Sequence, residues 1–173
     1  RDIDGYGLSK RGIDFARNIG ATLIITCDCG INAFEQIEYA TKMNIDVIVT
    51  DHHKPESNIP KCKAVINPNR KDCNYPFKGL CGAGVAFKLA FAVADSLSMD
   101  PESIWEYADL ITLGIAADIV PMIDENRIIS YFGLKMIRSG SNIGIRSLIE
   151  TSSLNIDLIG IGQIVFWVTP KIN

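Results

Sequence analysis

The sequence has no surplus of positive charge. Its 173 residues carry 17 Lys and Arg against 20 Asp and Glu, a formal charge of −3. That excludes a module that grips nucleic acid by bulk charge. It leaves room for a nucleic-acid enzyme whose bound divalent cations supply positive charge locally. An apolar run of membrane-spanning length is also missing, since the most apolar stretch, residues 80–94, is interrupted by Lys88. No internal repeat or low-complexity segment occurs. Histidine is scarce: there are two, His52 and His53, and they are adjacent. The five cysteines, Cys27, Cys29, Cys62, Cys73 and Cys81, are odd in number and lack a paired spacing. With no secretory signal in view, they read as free thiols in a reducing, cytoplasmic compartment. Hydrophobic residues at 47% and charged residues at 21% are the balance of a globular chain. The length suits one domain, or one and a piece of another. The chain opens at Arg1 without Met and stops at Asn173 just after an apolar segment, so both ends read as cut and a longer protein is expected.

The first half alternates. Residues 9–18 read as a helix capped by Ser9 and closed before Gly20. Residues 21–26 (ATLIIT) form a short β-prone run, apolar on both faces as in a parallel sheet. Residues 31–43 are helical, with Ile31, Phe34 and Ile37 on one stripe; 46–50 (DVIVT) and 63–67 (KAVIN) are further strands. The stretch NPNRKDCNYPFKG is a loop, rich in Pro, Asn and charge. Beyond Gly82 the pattern turns helical, over 85–97, from Pro101 through Trp105 to Leu113, over 126–138 and over 146–151. Residues 160–168 fit either a strand or a buried helix. Phe87, Phe91, Trp105, Phe166 and Trp167 read as core.

In a parallel α/β sheet, ligands bind at the carboxyl ends of the strands. The first strand runs directly into Asp28 (TCDCG) and the second into Asp51 (TDHHK), with one helix between them. Two carboxylates are thereby set side by side on one sheet edge, which is costly without a cation between them. His52 and His53 follow at once and point in different directions, so one can bind a metal while the other meets substrate. Carboxylate with imidazole suits Mn²⁺, Fe²⁺ or Zn²⁺, and carboxylate alone suits Mg²⁺. Asp118 is the one acid in LITLGIAADIVP and needs a partner, either a cation or the backbone turn before Pro121.

The ordered blocks TCDCGI, VTDHHKP, INPNRKDCNYPFKGLCGAGVAFKLA and GIAADIVPM resemble the DHH phosphoesterase superfamily. The opening GYGLS and closing TPKIN resemble stretches of its single-stranded-DNA-specific exonuclease branch. The resemblance implies an α/β fold, a parallel sheet flanked by helices and followed by a helical segment. It implies a DHH domain over 1–139, without its first strand and first motif, and a helical connection over 140–173 toward a further domain. The implied activity of the longer protein is metal-dependent phosphodiester hydrolysis, 5′-to-3′ on single-stranded DNA in repair and recombination, with two Mn²⁺ or Mg²⁺ ions, and the 173 residues by themselves are expected to be inactive. The implied partners are single-stranded DNA, a single-strand-binding protein and a helicase, with no membrane. By matching position, Asp28, Asp51, His52 and Asp118 are metal ligands, Asp28 bridging two ions, and His53 lies by the scissile phosphate. Arg1, Tyr6, Gly7, Gly82, Ala83, Gly84, Lys171 and Asn173 fall on substrate-side stretches. Lys171 stands where the family usually has Arg, which keeps the charge and loses a bidentate fork. Asp2 and Asp4 imitate the first motif in letters but follow no buried strand, and read as loop carboxylates. Other DHH phosphoesterases (nano-RNase, cyclic-dinucleotide phosphodiesterase, pyrophosphatase) and a non-catalytic nucleic-acid-binding scaffold are the competing readings.

Three lesser signals remain. Cys27 and Cys29 flank Asp28, but alternate faces of a strand keep two thiols from one tetrahedral ion. LCGAGVAF fits either a phosphate-holding helix start or close helix packing. Lys54, Lys61, Lys63, Arg70, Lys71 and Lys78 make a loosely basic stretch, either a solvated loop or a rim guiding a nucleic-acid backbone.

Overall fold

The computed structural model describes residues 5–56 and 58–172. Arg1, Asp2, Asp4 and Asn173, named above, lie outside the described residues. The chain forms two compact units, Arg1–Lys78 and Gly79–Asn173.

The first unit is a three-stranded parallel sheet with two helices. Helix α1, Lys10–Asn18, begins where Ser9 Oγ accepts from Gly12 N at 3.0 Å, the cap expected of Ser9. Strands β1 (Leu23–Cys27), β2 (Asp46–Thr50) and β3 (Ala64–Ile66) lie in the order β1-β2-β3. Cys27 is in register with Thr50, and Thr50 with Ile66, so all three strands end at one edge. Helix α2 spans Phe34–Lys42. Its start is three residues later than the periodicity suggests, because Gly30 turns the chain at φ 109° and the Ile31 amide is drawn to Asp51 instead of into a helix. Ile13, Ile37 and Ala40 from the helices pack on Val47 and Val49 of β2. Each such burial is worth about 1.5–3 kcal/mol for the larger side chains.

Burial on both faces does not hold for β1. Among the described residues it pairs with β2 alone, and Leu23, Ile25 and Cys27 are exposed, Ile25 at 55%, while Ile24 packs on the helical side. Its apolar run says nothing about whether both faces are covered.

The second unit is helical. Helix α3, Gly82–Ser96, starts three residues before the expected Val85, with Cys81 Sγ accepting from Gly84 N at 3.3 Å. A 3-10 segment, Pro101–Tyr107, precedes α4, Ala108–Ala117; α5 is Asp124–Ser139 and α6 is Ile143–Thr151. Small residues let these helices meet closely. A Cβ on Gly114 would stand 2.7 Å from Ala83 Cβ, and one on Gly133 would collide with Thr112 Oγ1 and the Ala108 carbonyl. Residues 160–168 resolve as helical turns, Ile161–Gln163 and Ile164–Val168, with Ile164 and Val168 buried beside Ile145 and Ile149. Phe87, Phe91 and Trp105 stack edge to face as expected of core. Phe166 and Trp167 do not belong to the core: both are exposed, since the turn through Ile164–Val168 buries only its first and last residues.

Candidate metal centre

The two strand-end carboxylates sit where parallel pairing puts them. Asp28 N donates to the Thr50 carbonyl and Asp51 N to the Ile66 carbonyl, each at 3.0 Å, carrying both ladders one residue past the strands. Asp28 does so at φ 63°, left-handed backbone that a non-glycine residue occupies at a cost of about 1–3 kcal/mol. Gly30 follows at φ 109°, and a Cβ there would lie 2.9 Å from Thr26 Oγ1 and 3.3 Å from Val49, so only glycine fits this turn.

The two carboxylates have different surroundings. Asp51 is 1% exposed. Its Oδ2 accepts from Ile31 N at 2.9 Å. Its Oδ1 accepts from His52 N at 2.7 Å, His53 N at 3.2 Å and His53 Nδ1 at 2.7 Å. Burial opposes the charge, yet these donors together hold the Asp51 carboxyl below its ordinary pKa. Because the ionised carboxylate only accepts, His53 Nδ1 is the donor in that contact. The side chain of Asp28, by contrast, is 43% exposed, with Oδ1 at 3.1 Å from His52 Nε2.

The side chains of His52 and His53 are 17% and 59% exposed, with ring centroids 4.5 Å apart. Asp28, His52 and His53 each offer a donor atom, and the three lie within 4.8 Å of one another. One carboxylate oxygen and two imidazole nitrogens at that spacing fit a divalent cation of the Mn²⁺, Fe²⁺ or Zn²⁺ kind. The donor set does not include the neighbouring thiols. Burial, then the charges of Asp28 and Asp51, push the Cys27 thiol up, and burial, then the charges of Asp51 and Asp28, push that of Cys29 up.

Two residues that sequence reasoning passed over hold this pair from behind. Asn67 Nδ2 donates to the His53 carbonyl at 2.8 Å, and Asn69 Nδ2 donates to the His52 carbonyl. The available signal was their position directly after β3, on the edge where β1 and β2 also end.

The other expected site residues are placed as follows. Gly7, at φ 80°, lies against Cys29, with an added Cβ 3.7 Å from Cys29 Cβ, which brings the GYGL stretch next to Asp28; Tyr6 is exposed. Gly82, Ala83 and Gly84 open α3 in the second unit, the two glycines buried and Ala83 against Gly114. Asp118 closes α4 in that unit as an exposed residue. Lys171 Nζ donates to the Thr151 carbonyl at 2.7 Å. Half of the basic stretch is tied internally. Arg70 pairs with Asp72 and the Val65 carbonyl, Lys78 donates to the carbonyls of Pro68 and Cys73, and Lys63 pairs with Asp46.

Comparison with known proteins places this geometry. Residues 3–115 match the DHH family, N-terminal domain. Over 98% of its length the chain is 39% identical to the single-stranded-DNA-specific exonuclease RecJ of Salmonella typhimurium and 38% identical to that of Bacillus subtilis. It spans 31% and 21% of those proteins. Among solved structures it resembles exonuclease RecJ bound to manganese, with a TM-score of 0.84 at 32% identity, covering 100% of this chain and 43% of the other. RecJ in complex with Mn²⁺ from Thermus thermophilus gives 0.78 at 31% identity, covering 94% of this chain and 24% of the other.

Proposed function

The chain belongs to the DHH family, and from that premise we propose that it carries the cation site of a single-strand-specific DNA exonuclease working in the 5′-to-3′ direction in repair and recombination. The observation that carries the reading is Asp28 Oδ1 at 3.1 Å from His52 Nε2 at the strand ends, with a His53 nitrogen within 4.8 Å of the same cluster and so in reach of a group bound to the cation. Its relatives bear the name single-stranded-DNA-specific exonuclease, and its structural neighbours bind Mn²⁺ or Mg²⁺. Asp28 and His52 would hold the cation, and Asp118 stays in the proposal as a further ligand by its position in the family pattern. Asp28 would also serve a second ion in the same proposal. A divalent cation bound there supplies positive charge to the phosphate under attack.

The chain's own residues do the rest. Asp51, its oxygens engaged by four N–H donors, orients the histidines rather than serving as a primary ligand. His53, the more open ring, faces the scissile phosphate with Nε2. Tyr6 and Gly7 line the approach beside Asp28, and Gly82, Ala83, Gly84 and Lys171, with Arg1 and Asn173, belong to the substrate side. Single-stranded DNA is the substrate, with a single-strand-binding protein and a helicase as partners and the cytoplasm as the setting. Among the described residues no helix is long and apolar enough to cross a membrane.

The test is a 5′-labelled single strand incubated with the full-length protein and Mn²⁺, beside duplex DNA, single-stranded RNA, a cyclic dinucleotide and pyrophosphate. The expected result is Mn²⁺-dependent nucleotide release from single-stranded DNA, abolished by Asp28→Asn. Turnover of pyrophosphate or a cyclic dinucleotide in preference to DNA overturns the substrate assignment.

A further inference from the structure

We propose that Asn67 and Asn69 are positioning residues of the metal centre, setting where the His52 and His53 imidazoles stand by holding their peptide carbonyls; this rests on the cation reading above. The β2–β3 ladder reaches as far as the bond from Asp51 N to the Ile66 carbonyl. Just past it, three side chains take over the two histidine peptides. Both amides donate to Asp51 Oδ1, the His53 carbonyl accepts from Asn67, and the His52 carbonyl accepts from Asn69.

The two asparagines act as one clamp. Asn67 is 3% exposed and uses both ends of its amide, Nδ2 on the His53 carbonyl and Oδ1 accepting from Asn69 N at 2.8 Å. Between them Pro68 has a fixed φ, and its carbonyl accepts from Lys78 Nζ at 2.6 Å. The clamp is therefore anchored at its own back. An amide is the group this arrangement requires. A carboxylate of the same shape has no donor for the histidine carbonyls and would set oxygen against oxygen. Partners behind a metal ligand typically tune affinity about tenfold to a hundredfold, because a cation tolerates little error in donor placement.

Mn²⁺ titration by calorimetry, with metal-free thermal unfolding alongside, tests this on the unaltered protein and on N69A, N69D, N67D and H52A. Asn69 is only half-buried, and N69S is the milder variant should N69A fail to fold. The expectation is that N69A and N69D unfold within a few degrees of the unaltered protein yet bind Mn²⁺ about tenfold to a hundredfold more weakly. N69D should be at least as weak as N69A despite matching asparagine in size. Mn²⁺ affinity unchanged in folded N69A and N69D, with binding lost in H52A, overturns the clamp and leaves the cation site standing. No Mn²⁺ binding by the unaltered protein overturns the cation reading and the clamp with it.

Discussion

Replacing Asp51 by asparagine changes charge and leaves shape alone, which makes it the sharpest probe of the site's interior. Oδ1 receives three N–H groups and Oδ2 one. The better amide orientation keeps oxygen on the histidine side and turns NH₂ toward the Ile31 amide. Ile31 is buried, so that N–H loses its acceptor, at about 1–3 kcal/mol. The three remaining bonds fall from charge-assisted to neutral, each losing about 1 kcal/mol. Easier burial of a neutral group offsets part of this. The Asp51 carboxyl nonetheless lies below its ordinary pKa despite burial, so the ionised form favours the fold and the net sign is destabilising. The expected loss is about 2–4 kcal/mol at pH 7. Both tryptophans, Trp105 and Trp167, lie in the second unit, so far-UV circular dichroism in urea, with hydrogen exchange at the Thr50 and Asp51 amides, is the appropriate readout for the first. An Asp51→Asn protein within about 0.5 kcal/mol of the original, or more stable, refutes the argument, because burial would then outweigh the donors.

Gly30→Ala should destabilise the first unit by about 2 kcal/mol or more, since φ 109° and the Thr26 Oγ1 contact both exclude a side chain; urea unfolding measures it. Gly133→Ala should part α4 from α5 at a cost of about 1–3 kcal/mol, seen as an earlier transition in Trp105 fluorescence. His53→Ala should lower kcat by about a hundredfold or more while keeping most of the Mn²⁺ affinity, whereas Asp28→Asn should lose both; equal loss of metal in the two makes His53 a primary ligand.

The strand ends were legible because β2 is a short buried run stopped by Asp-His-His, and one helix between two strands sets their carboxyl ends together. The different surroundings of Asp28 and Asp51 were not legible. Both follow a strand in the same way, and what separates them is the Ile31 amide and the two histidine peptides, all of which arrive by tertiary placement. The glycine-rich turn had two readings. The Cβ distances at Gly84 and Gly114 support the packing one, since a side chain at either would press on Leu80 or Ala83. Composition alone could not show that Leu23 and Ile25 of β1 are exposed or that Phe166 and Trp167 face outward, because hydrophobicity marks what can be buried and not which side is covered.

The left-handed backbone at Asp28 bears on how a mutational scan of this site should be read. Only glycine, asparagine and aspartate enter that region readily, so most substitutions there disturb the turn before they disturb any chemistry. A saturation library at position 28 sorted on abundance alone should therefore enrich Gly and Asn beside Asp, while one sorted on catalysis should retain Asp. The gap between the two lists separates what the backbone demands of this position from what the carboxylate contributes.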